Sequence, residues 1–273
     1  MATHFHPLRV KRVTPEAAGS AAITFDIPPE LAATFEFRPG QFLTLRATIG
    51  GEEVRRSYSI CSAHARFVRE REIEVGIKSV EGGRFSRWAV SQLREGAVVD
   101  VLPPDGRFTP RVPGARHRVG FAAGSGITPI LSIIATTLAE EPQSRFTLVY
   151  CNQRVSAILF NEALQDLKDR YPARLSLLHV LSRQPQEVPL LHGRLDEEKV
   201  TQLLQTLLPP ATLDEVFLCG PEGMIVGAEQ ALLRAGVPRE RIHAERFATP
   251  GLPAATPRPV PVPAEQKHHE LEV

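Results

Sequence analysis

The 273-residue sequence has few cysteines and few aromatic residues. Its cysteines, Cys61, Cys151 and Cys219, are too few and too scattered for a disulfide framework. No two of them have the spacing of a Cys₄ or Cys₂His₂ site. His4 and His6 could chelate a metal weakly, but solvated terminal histidines explain the pair better. We therefore expect no metal in this chain.

Neither sign of charge dominates, because 32 Lys and Arg face 31 Asp and Glu. Without a strong positive field, we do not expect nucleic acid as a partner. The apolar runs are much shorter than the ~20 residues that a membrane-spanning helix needs. The first residues lack the basic and apolar segments of a signal peptide. We expect a cytoplasmic protein that does not bind a membrane.

The length and the distribution of proline predict two domains and a tail. A chain of 273 residues is long for one domain, and the pattern of the sequence changes near residue 113. Six prolines lie between positions 250 and 263, which favours extended polyproline II. We expect domains at 1–112 and 113–249, followed by a proline-rich linker or truncated tail at 250–273.

The first domain shows the alternation of half-buried strands. Apolar and polar residues alternate at 8–13, 41–46 and 72–77, with glycine and proline turns between the runs. One helical segment, 85–93, interrupts them. The pattern predicts a six-stranded antiparallel barrel with a single helix.

The second domain alternates apolar strands with amphipathic helices. The expected strands are 119–122, 146–150, 175–180, 216–219 and 242–247, and the expected helices are 127–138, 158–170, 196–208 and 222–235. This order predicts a five-stranded parallel, doubly wound nucleotide-binding sheet, giving a β + α/β protein.

A glycine turn follows the first strand of the second domain, in the segment Ala-Ala-Gly-Ser-Gly-Ile-Thr-Pro at 122–129. Gly124 and Gly126 would let phosphates approach the backbone, and the helix N-terminus would offer free N–H groups. Pro129 suits the first helical turn. Because the third glycine of the dinucleotide fingerprint is missing, a plain strand-to-helix turn stays open as an alternative.

A second strand-to-helix turn contains Cys219, Gly220 and Pro221. It follows the fourth strand of the expected sheet, and ligands of open α/β folds bind at the carboxyl ends of the strands. The alternative is a buried thiol followed by a proline that starts a helix.

Two segments of the barrel carry groups suited to a ring and to phosphates. Arg56, Ser57, Tyr58 and Ser59 combine an arginine fork, a flat aromatic face and two hydroxyls, although by composition alone a polar strand explains them more readily. The segment Gly-Gly-Arg-Phe-Ser at 82–86 enters the expected helix and predicts a second anion site.

These four segments occur in the order and spacing of the ferredoxin–NADP reductase-like flavoproteins, which the sequence resembles over about residues 5–250. Within that family it is most similar to the reductases of ring-epoxidising monooxygenases that act on phenylacetyl-CoA. The resemblance implies hydride transfer from NAD(P)H to FAD, with FMN less favoured. It also implies release of single electrons to a ferredoxin or oxygenase component, in phenylacetyl-CoA or other aromatic catabolism.

The resemblance assigns roles in the barrel. It implies that Tyr58 stacks on the flavin, with Ser59 near its reactive edge and Arg56 on its phosphates. Further flavin contacts are implied for Ser57, Val75, Ile77, Lys78, Gly82, Gly83, Arg84, Phe85 and Ser86. Lys78 could equally be a solvated strand residue.

The resemblance also assigns the nicotinamide nucleotide to the edge of the sheet. The implied contacts are Gly124, Ser125, Gly126, Thr128, Pro129, Asn152, Arg154, Ser182, Arg183, Cys219, Gly220, Pro221, Met224 and Phe247. Cys219 is expected beside the reactive carbon of nicotinamide, and Phe247 is expected to close the site or to pack in the core. Ser59, Cys219 and Thr128 are the expected catalytic residues, acting by placing the rings.

The expected coenzyme is NADPH rather than NADH. Ser182 and Arg183 resemble the pair that binds the 2′-phosphate in plant-type members, and Arg154 lies one position from the family's arginine. Without a 2′-phosphate, both arginines are surface charges.

The similar reductases continue into a [2Fe–2S] ferredoxin domain, but this sequence has no cysteine after Cys219. We therefore expect no [2Fe–2S] cluster in this chain. Two other functions stay open. One is a non-catalytic flavin- or nucleotide-binding subunit that docks to an oxygenase, and the other is an ordinary Rossmann dehydrogenase.

Overall fold

The computed structural model describes residues 4–17 and 19–247. Their strands form one antiparallel and one parallel sheet, as the sequence predicts. The proline-rich tail expected at 250–273 lies outside the described residues.

The antiparallel sheet has the strand order β4-β3-β6-β1-β2-β5. Its strands are β1 (His6–Glu16), β2 (Ser20–Asp26), β3 (Phe42–Ile49), β4 (Glu52–Ser59), β5 (Glu72–Lys78) and β6 (Val98–Val101). The sheet closes into a barrel because Ile60, just after β4, forms a bridge with Val75 of β5. The end of β4 and the middle of β5 are therefore neighbours.

Three helices lie in the barrel half of the described chain, so the prediction of a single helix is wrong. They are α1 (Ala32–Phe35), α2 (His64–Glu70) and α3 (Arg84–Gln92). The first two span only four and seven residues, too few to show a helical period in the sequence. Each buries one phenylalanine, Phe35 or Phe67, in the barrel core, which explains why they form there.

The parallel sheet has the strand order β11-β10-β7-β8-β9. Its strands are β7 (His117–Ala123), β8 (Arg145–Asn152), β9 (Leu175–Leu181), β10 (Glu215–Cys219) and β11 (Ile242–Glu245). Its helices are α4 (Ile127–Glu140), α5 (Asn161–Arg170), α6 (Glu197–Thr206) and α7 (Glu222–Arg234). Buried side chains of α4 and α5 pack on one face of the sheet and those of α6 and α7 on the other. The strand order reverses between β7 and β10, which puts the binding crevice at their carboxyl ends.

The start of α5 differs from the expected position 158. Phe160 has φ 57° and ψ 31°, a left-handed conformation that a helix cannot include. Residues 158–160 are instead buried and apolar. The apolar run that suggested a helix is therefore a packed loop, and α5 begins at Asn161.

A buried ion pair fastens the segment between the two sheets. Arg118 and Glu215 are 1% and 0% exposed, and Arg118 Nε donates to Glu215 Oε2 over 2.9 Å. Glu215 Oε1 accepts the backbone N–H of Arg111, and Arg118 donates to the carbonyl of Val112. Burial raises the pKa of Glu215, but hydrogen bonds from His243, Arg111 and Arg118 outweigh it and hold that pKa below its ordinary value.

In residues 4–17 and 19–247, the helices are all too short or too polar to cross a lipid bilayer.

Candidate functional site

Tyr58 presents an aromatic face at the end of β4. Its ring is half-buried against the barrel core, with its centroid 5.7 Å from that of Phe85. Burial raises the pKa of Tyr58 to about 12, so the hydroxyl stays protonated. A ring held from behind by Phe85 is a fixed surface on which a planar ligand can stack.

The neighbours of Tyr58 differ in exposure. Arg56 is exposed, and its guanidinium donates to the carbonyl of Arg55, which leaves most of its N–H groups free. Ser57 is exposed and shares a hydrogen bond with Thr44. Ser59 is buried beside the point where β4 meets β5.

The N-terminus of α3 is built from glycine main chain. Gly82 has φ 72°, a left-handed conformation, and Gly83 is the N-cap without a side-chain cap. The Ser86 hydroxyl accepts a hydrogen bond from the N–H of Val80 and donates one to the carbonyl of Gly83, each over 3.3 Å, and so closes the turn. Uncapped N–H groups at a helix start are a place for phosphate oxygens.

Arg84 points away from that helix start. Its guanidinium pairs with Glu52 and donates to the carbonyl of Ile49 over 2.8 Å. It therefore ties α3 to the β3–β4 hairpin, and its side chain is not free for a phosphate. Phe85 is buried in the barrel core, so it too offers only its backbone N–H.

Strand β5 brings three expected flavin contacts to the boundary between the sheets. Val75 and Ile77 have buried side chains, so they offer main-chain groups only. Lys78 is exposed, and its Nζ is 3.9 Å from the position of a Cβ on Gly124. Lys78 therefore lies against the glycine turn of the parallel sheet.

The two glycine turns of the parallel sheet touch each other. A Cβ on Gly126 would lie 2.0 Å from the carbonyl oxygen of Cys219 and 2.9 Å from the nitrogen of Gly220. Only glycine fits at 126, since real Cβ atoms do not approach so closely. The crevice between β7 and β10 is consequently lined by main chain.

The remaining residues of the first turn start α4. Gly124 has φ 52°, and no side chain caps α4. The Thr128 hydroxyl donates to the carbonyl of Ser125 over 3.0 Å, and Pro129 is buried in the first helical turn. The turn therefore offers a second uncapped helix N-terminus.

Cys219 is 0% exposed, in contrast to its expected place beside a nicotinamide ring. Burial, with Glu245 nearby, raises the pKa of its thiol well above the ordinary value, so the group is neutral. In this arrangement, the sulfur is covered rather than open to the crevice.

Glu245 was not expected from the sequence as a site residue. It pairs with Cys219 across β10 and β11, and burial raises the pKa of its carboxyl. A lone carboxylate at the carboxyl end of a parallel strand was the available signal. Phe247, two residues on, is 41% exposed and lies outside the hydrophobic clusters.

Met224 and Pro221 shape the second turn. Met224 is buried, and its Cε is 2.8 Å from the position of a Cβ on Gly220. Pro221 is exposed and is the N-cap of α7.

The loops after β8 and β9 are joined by hydrogen bonds. Ser182 N donates to the carbonyl of Asn152 over 2.9 Å, and Arg183 N donates to the carbonyl of Gln153 over 2.8 Å. Arg154 and Arg183 are both exposed on these joined loops. The Nδ2 of Asn152 is buried and has no hydrogen-bond partner.

These features fit a flavin and a nicotinamide nucleotide. Two uncapped helix N-termini suit two sets of phosphates, and the Tyr58 ring suits a planar group. The orphaned amide donor of Asn152 suits a ligand acceptor, because buried donors are normally paired. The small cavity between β5 and the first glycine turn does not include Tyr58 among its lining residues.

No set of three or more His, Cys, Asp or Glu side chains could hold a metal ion among residues 4–17 and 19–247.

Two family models match the chain. The oxidoreductase FAD-binding domain matches residues 7–109, and the oxidoreductase NAD-binding domain matches residues 121–230. The two matches fall on the barrel and on the parallel sheet, respectively.

Two curated proteins share substantial identity with the chain. It is 47% identical to a subunit of the 1,2-phenylacetyl-CoA epoxidase of Escherichia coli (strain K12), over 91% of this chain and 69% of that protein. It is 35% identical to the ferredoxin reductase component of 3-ketosteroid-9-alpha-monooxygenase of Rhodococcus rhodochrous, over 94% of this chain and 70% of that protein.

A solved structure shares the fold. The flavohem-like FAD/NAD-binding domain of nitric oxide dioxygenase from Vibrio cholerae O1 biovar El Tor superposes with a TM-score of 0.77 at 25% identity. The alignment covers 89% of this chain and 99% of that one.

Proposed function

We propose that NADPH is the electron donor of this chain. The chain belongs to the ferredoxin reductase-type oxidoreductases with FAD-binding and NAD-binding domains, and it is an FAD-dependent NAD(P)H oxidoreductase. The observation that carries the proposal is that backbone hydrogen bonds join the two loops on which Arg154, Ser182 and Arg183 lie, with both arginines exposed. Two arginine forks and a hydroxyl suit a dianionic 2′-phosphate, which NADH lacks.

The residues present divide the binding work between the two sheets. In this proposal, Tyr58 supports the flavin ring, and the N–H groups at the start of α3 hold its pyrophosphate, which favours FAD over FMN. The start of α4 and the Gly126–Gly220 contact receive the nicotinamide nucleotide. When bound, the flavin accepts two electrons together and releases them singly.

Placement is the main task of the side chains, because hydride transfer needs no obligatory acid or base. We propose Ser59 and Thr128 as positioning residues on the two sides of the crevice. Cys219 and Glu245 form its floor, where burial keeps the Cys219 thiol neutral and raises the pKa of the Glu245 carboxyl. A floor with a neutral thiol and little water would prevent competing thiol chemistry.

We propose a ferredoxin or an oxygenase component as the electron acceptor, in phenylacetyl-CoA or other aromatic catabolism. The names of the two curated relatives, an epoxidase subunit and a monooxygenase reductase component, support this acceptor class. With three cysteines, all free and buried, we propose that the chain itself holds no [2Fe–2S] cluster and works in the cytoplasm.

We further propose domain limits at 1–112 and 113–249, with the two ring sites on opposite sides of that limit. The change from antiparallel to parallel pairing between β6 and β7 supports it.

The test of the proposed function is the absorbance spectrum of the purified protein before and after anaerobic NADPH and, separately, NADH. We expect a bound flavin that bleaches at far lower NADPH than NADH concentration. A flavin that stays oxidised with both coenzymes would support the non-catalytic binding subunit instead.

The coenzyme preference has its own variant. Arg183→Ala should raise the KM for NADPH about 10- to 100-fold, since charge-assisted hydrogen bonds contribute about 1.5–3 kcal/mol each. The KM for NADH should not change. Arg170→Ala, at the exposed end of α5 on the opposite edge of the sheet, is the matched control. Equal effects on both coenzymes would refute the 2′-phosphate role.

A further inference from the structure

Gly76 is a glycine in the interior of β5, where glycine weakens a strand. Its φ is not in the left-handed region, so its backbone conformation does not require glycine. A Cβ at this position would lie 2.5 Å from Thr128 Cγ2 and 2.9 Å from Phe160 Cζ. Gly76 is therefore needed for space. Thr128 of α4 and Phe160, just before α5, would press on a Cβ there, and both belong to the parallel-sheet half.

Phe160 is held against the barrel by its backbone. Its N–H donates to Glu16 Oε2, at the end of β1, over 2.9 Å. This bond helps to hold a bulky residue in the left-handed conformation, which is uncommon for such side chains. The Phe160 ring is 4% exposed and packs in the cluster beneath α4.

Very little space is left where the two sheets meet. Glu16, Gly76, Lys78, Thr128 and Phe160 line a cavity of about 10 Å³, room for about one water molecule. Thr128 and Phe160 are both buried, and the branched Thr128 side chain is stiff at χ1. The contact therefore resists compression.

The position of this contact gives it a function. Gly76 follows Val75, which bridges to Ile60 directly after Tyr58 and Ser59. On the other side, Thr128 lies in the first turn of α4, two residues after Gly126. The contact thus lies between the strand end that carries Tyr58 and the glycine turn of the parallel sheet.

We propose that Glu16, Gly76, Thr128 and Phe160, the spacer contact, set the separation between the flavin on the barrel and the nicotinamide on the parallel sheet. Gly76 and Phe160 both act as positioning residues. Gly76 lets the barrel half and the parallel-sheet half come close together, and the Phe160 ring prevents them from coming closer. The inference rests on the proposed function, because it concerns the distance between its two ring sites.

The expected sensitivity follows from the distances. Carbon atoms pack at about 3.5–4.0 Å, whereas a Cβ at position 76 would meet Thr128 at 2.5 Å. We therefore expect Gly76→Ala to move the two halves apart by up to about 1 Å, and a misplacement of about 1 Å can slow a reaction about 10²-fold.

The test compares wild type with Gly76→Ala as FAD-loaded proteins. We expect unchanged flavin content and a Kd for NADP⁺ within about twofold, because Gly76 offers no side chain to either ligand. The change that NADP⁺ causes in the flavin absorbance spectrum, which depends on ring contact rather than turnover, should be largely lost. Single-turnover reduction by NADPH should slow about 10²-fold.

A second substitution should restore the spacing. Thr128→Ser in the Gly76→Ala background removes Cγ2 and keeps the hydroxyl, so it should recover part of the spectral change and of the rate. Gly227→Ala is the matched control, because its Cβ would meet the backbone nitrogen of Glu197 at 2.8 Å, between α6 and α7 on the opposite face of the parallel sheet from α4. It should lower the melting temperature and leave the spectral change in place.

Each outcome separates the two proposals. A wild-type flavin that does not respond to NADPH refutes the proposed function. A responsive wild type with a Gly76→Ala variant that keeps its spectral change and rate refutes the spacer contact alone. Should Gly76→Ala fail to fold, Phe160→Leu loosens the same contact, and an unchanged spectrum and rate in that variant are equally decisive.

Discussion

Two of the contacts that join the barrel half to the parallel-sheet half depend on different forces. The spacer contact consists of close packing around Gly76. The second contact, the polar seam, consists of hydrogen bonds between the start of α2 and α4. Ser132 Oγ donates to the carbonyl of Ser62 over 2.7 Å, and His64 N donates to Thr136 Oγ1 over 3.0 Å. The His64 ring also contacts Glu140 over 3.0 Å.

The difference shows how adhesion and spacing can be separated. A hydrogen bond keeps its strength over several tenths of an ångström, so the polar seam attracts without fixing a distance closely. Packed atoms repel steeply, so the spacer contact fixes the distance. Changes in the polar seam should therefore affect stability alone, whereas changes in the spacer contact should affect stability and hydride transfer.

The largest expected effect is that of Phe160→Ala. Removing a buried phenylalanine should lower the free energy of unfolding by about 3–5 kcal/mol. Hydride transfer should slow, because the packing that fixes the distance between the two halves is lost. Urea denaturation and single-turnover reduction measure the two effects. Phe146→Ala, buried in the same cluster but away from the barrel, should cost similar stability without the rate effect. Equal rates of flavin reduction in Phe160→Ala and Phe146→Ala would show that the spacer contact has no special effect on hydride transfer.

An intermediate effect is expected for Ser132→Ala in the polar seam. Ser132 is fully buried, and its loss leaves the carbonyl of Ser62 without this donor. The free energy of unfolding should fall by about 1–2 kcal/mol. The rate of flavin reduction should match wild type. A slowing as large as that of Gly76→Ala would show that the polar seam also sets the distance.

The smallest effect is expected from the pH dependence of the polar seam. Burial lowers the pKa of His64, but hydrogen bonds to Glu36 and Glu140 outweigh it and raise that pKa above 6.5. The rings of Phe37 and Phe67 pack against the same imidazole. Because the folded pKa is the higher one, the stabilisation is complete below pH 6.5 and is lost as the pH rises through the folded pKa.

Wild type should therefore exceed His64→Gln in unfolding free energy by up to about 1 kcal/mol near pH 5.5, and by less near pH 8.5. Melting curves at the two pH values measure the difference. A gap that grows with pH would contradict the raised pKa.

The sequence predicted the two sheets because their patterns are local. Alternation marks the barrel strands, and the glycine turns at 82–83 and 124–126 lie where expected because turn chemistry needs only a few neighbouring residues. The parallel pairing of β7 to β11 followed from the alternation of strands and helices.

The contacts between the sheets could not be predicted in this way. Glu16 and Phe160 are 144 positions apart, and no sequence period links them. The burial of Cys219 and the turn of Arg84 towards Glu52 are likewise decided by partners far along the chain. Gly76 was the one visible signal, since a glycine inside a strand indicates a close neighbour.

The Arg118–Glu215 ion pair in the parallel sheet depends on main-chain groups of the segment that connects the two halves. Residues 111 and 112 belong to the connecting segment, yet their main-chain groups complete the bonding of that pair inside the parallel sheet. A fragment that starts at residue 113 would lack two of these bonds: the Glu215 carboxylate would lose one donor, and the Arg118 guanidinium would lose one acceptor. The sequence pattern divides the chain at this limit, but the buried ion pair needs groups from both sides of it. A separately expressed nucleotide-binding half should therefore retain the connecting segment.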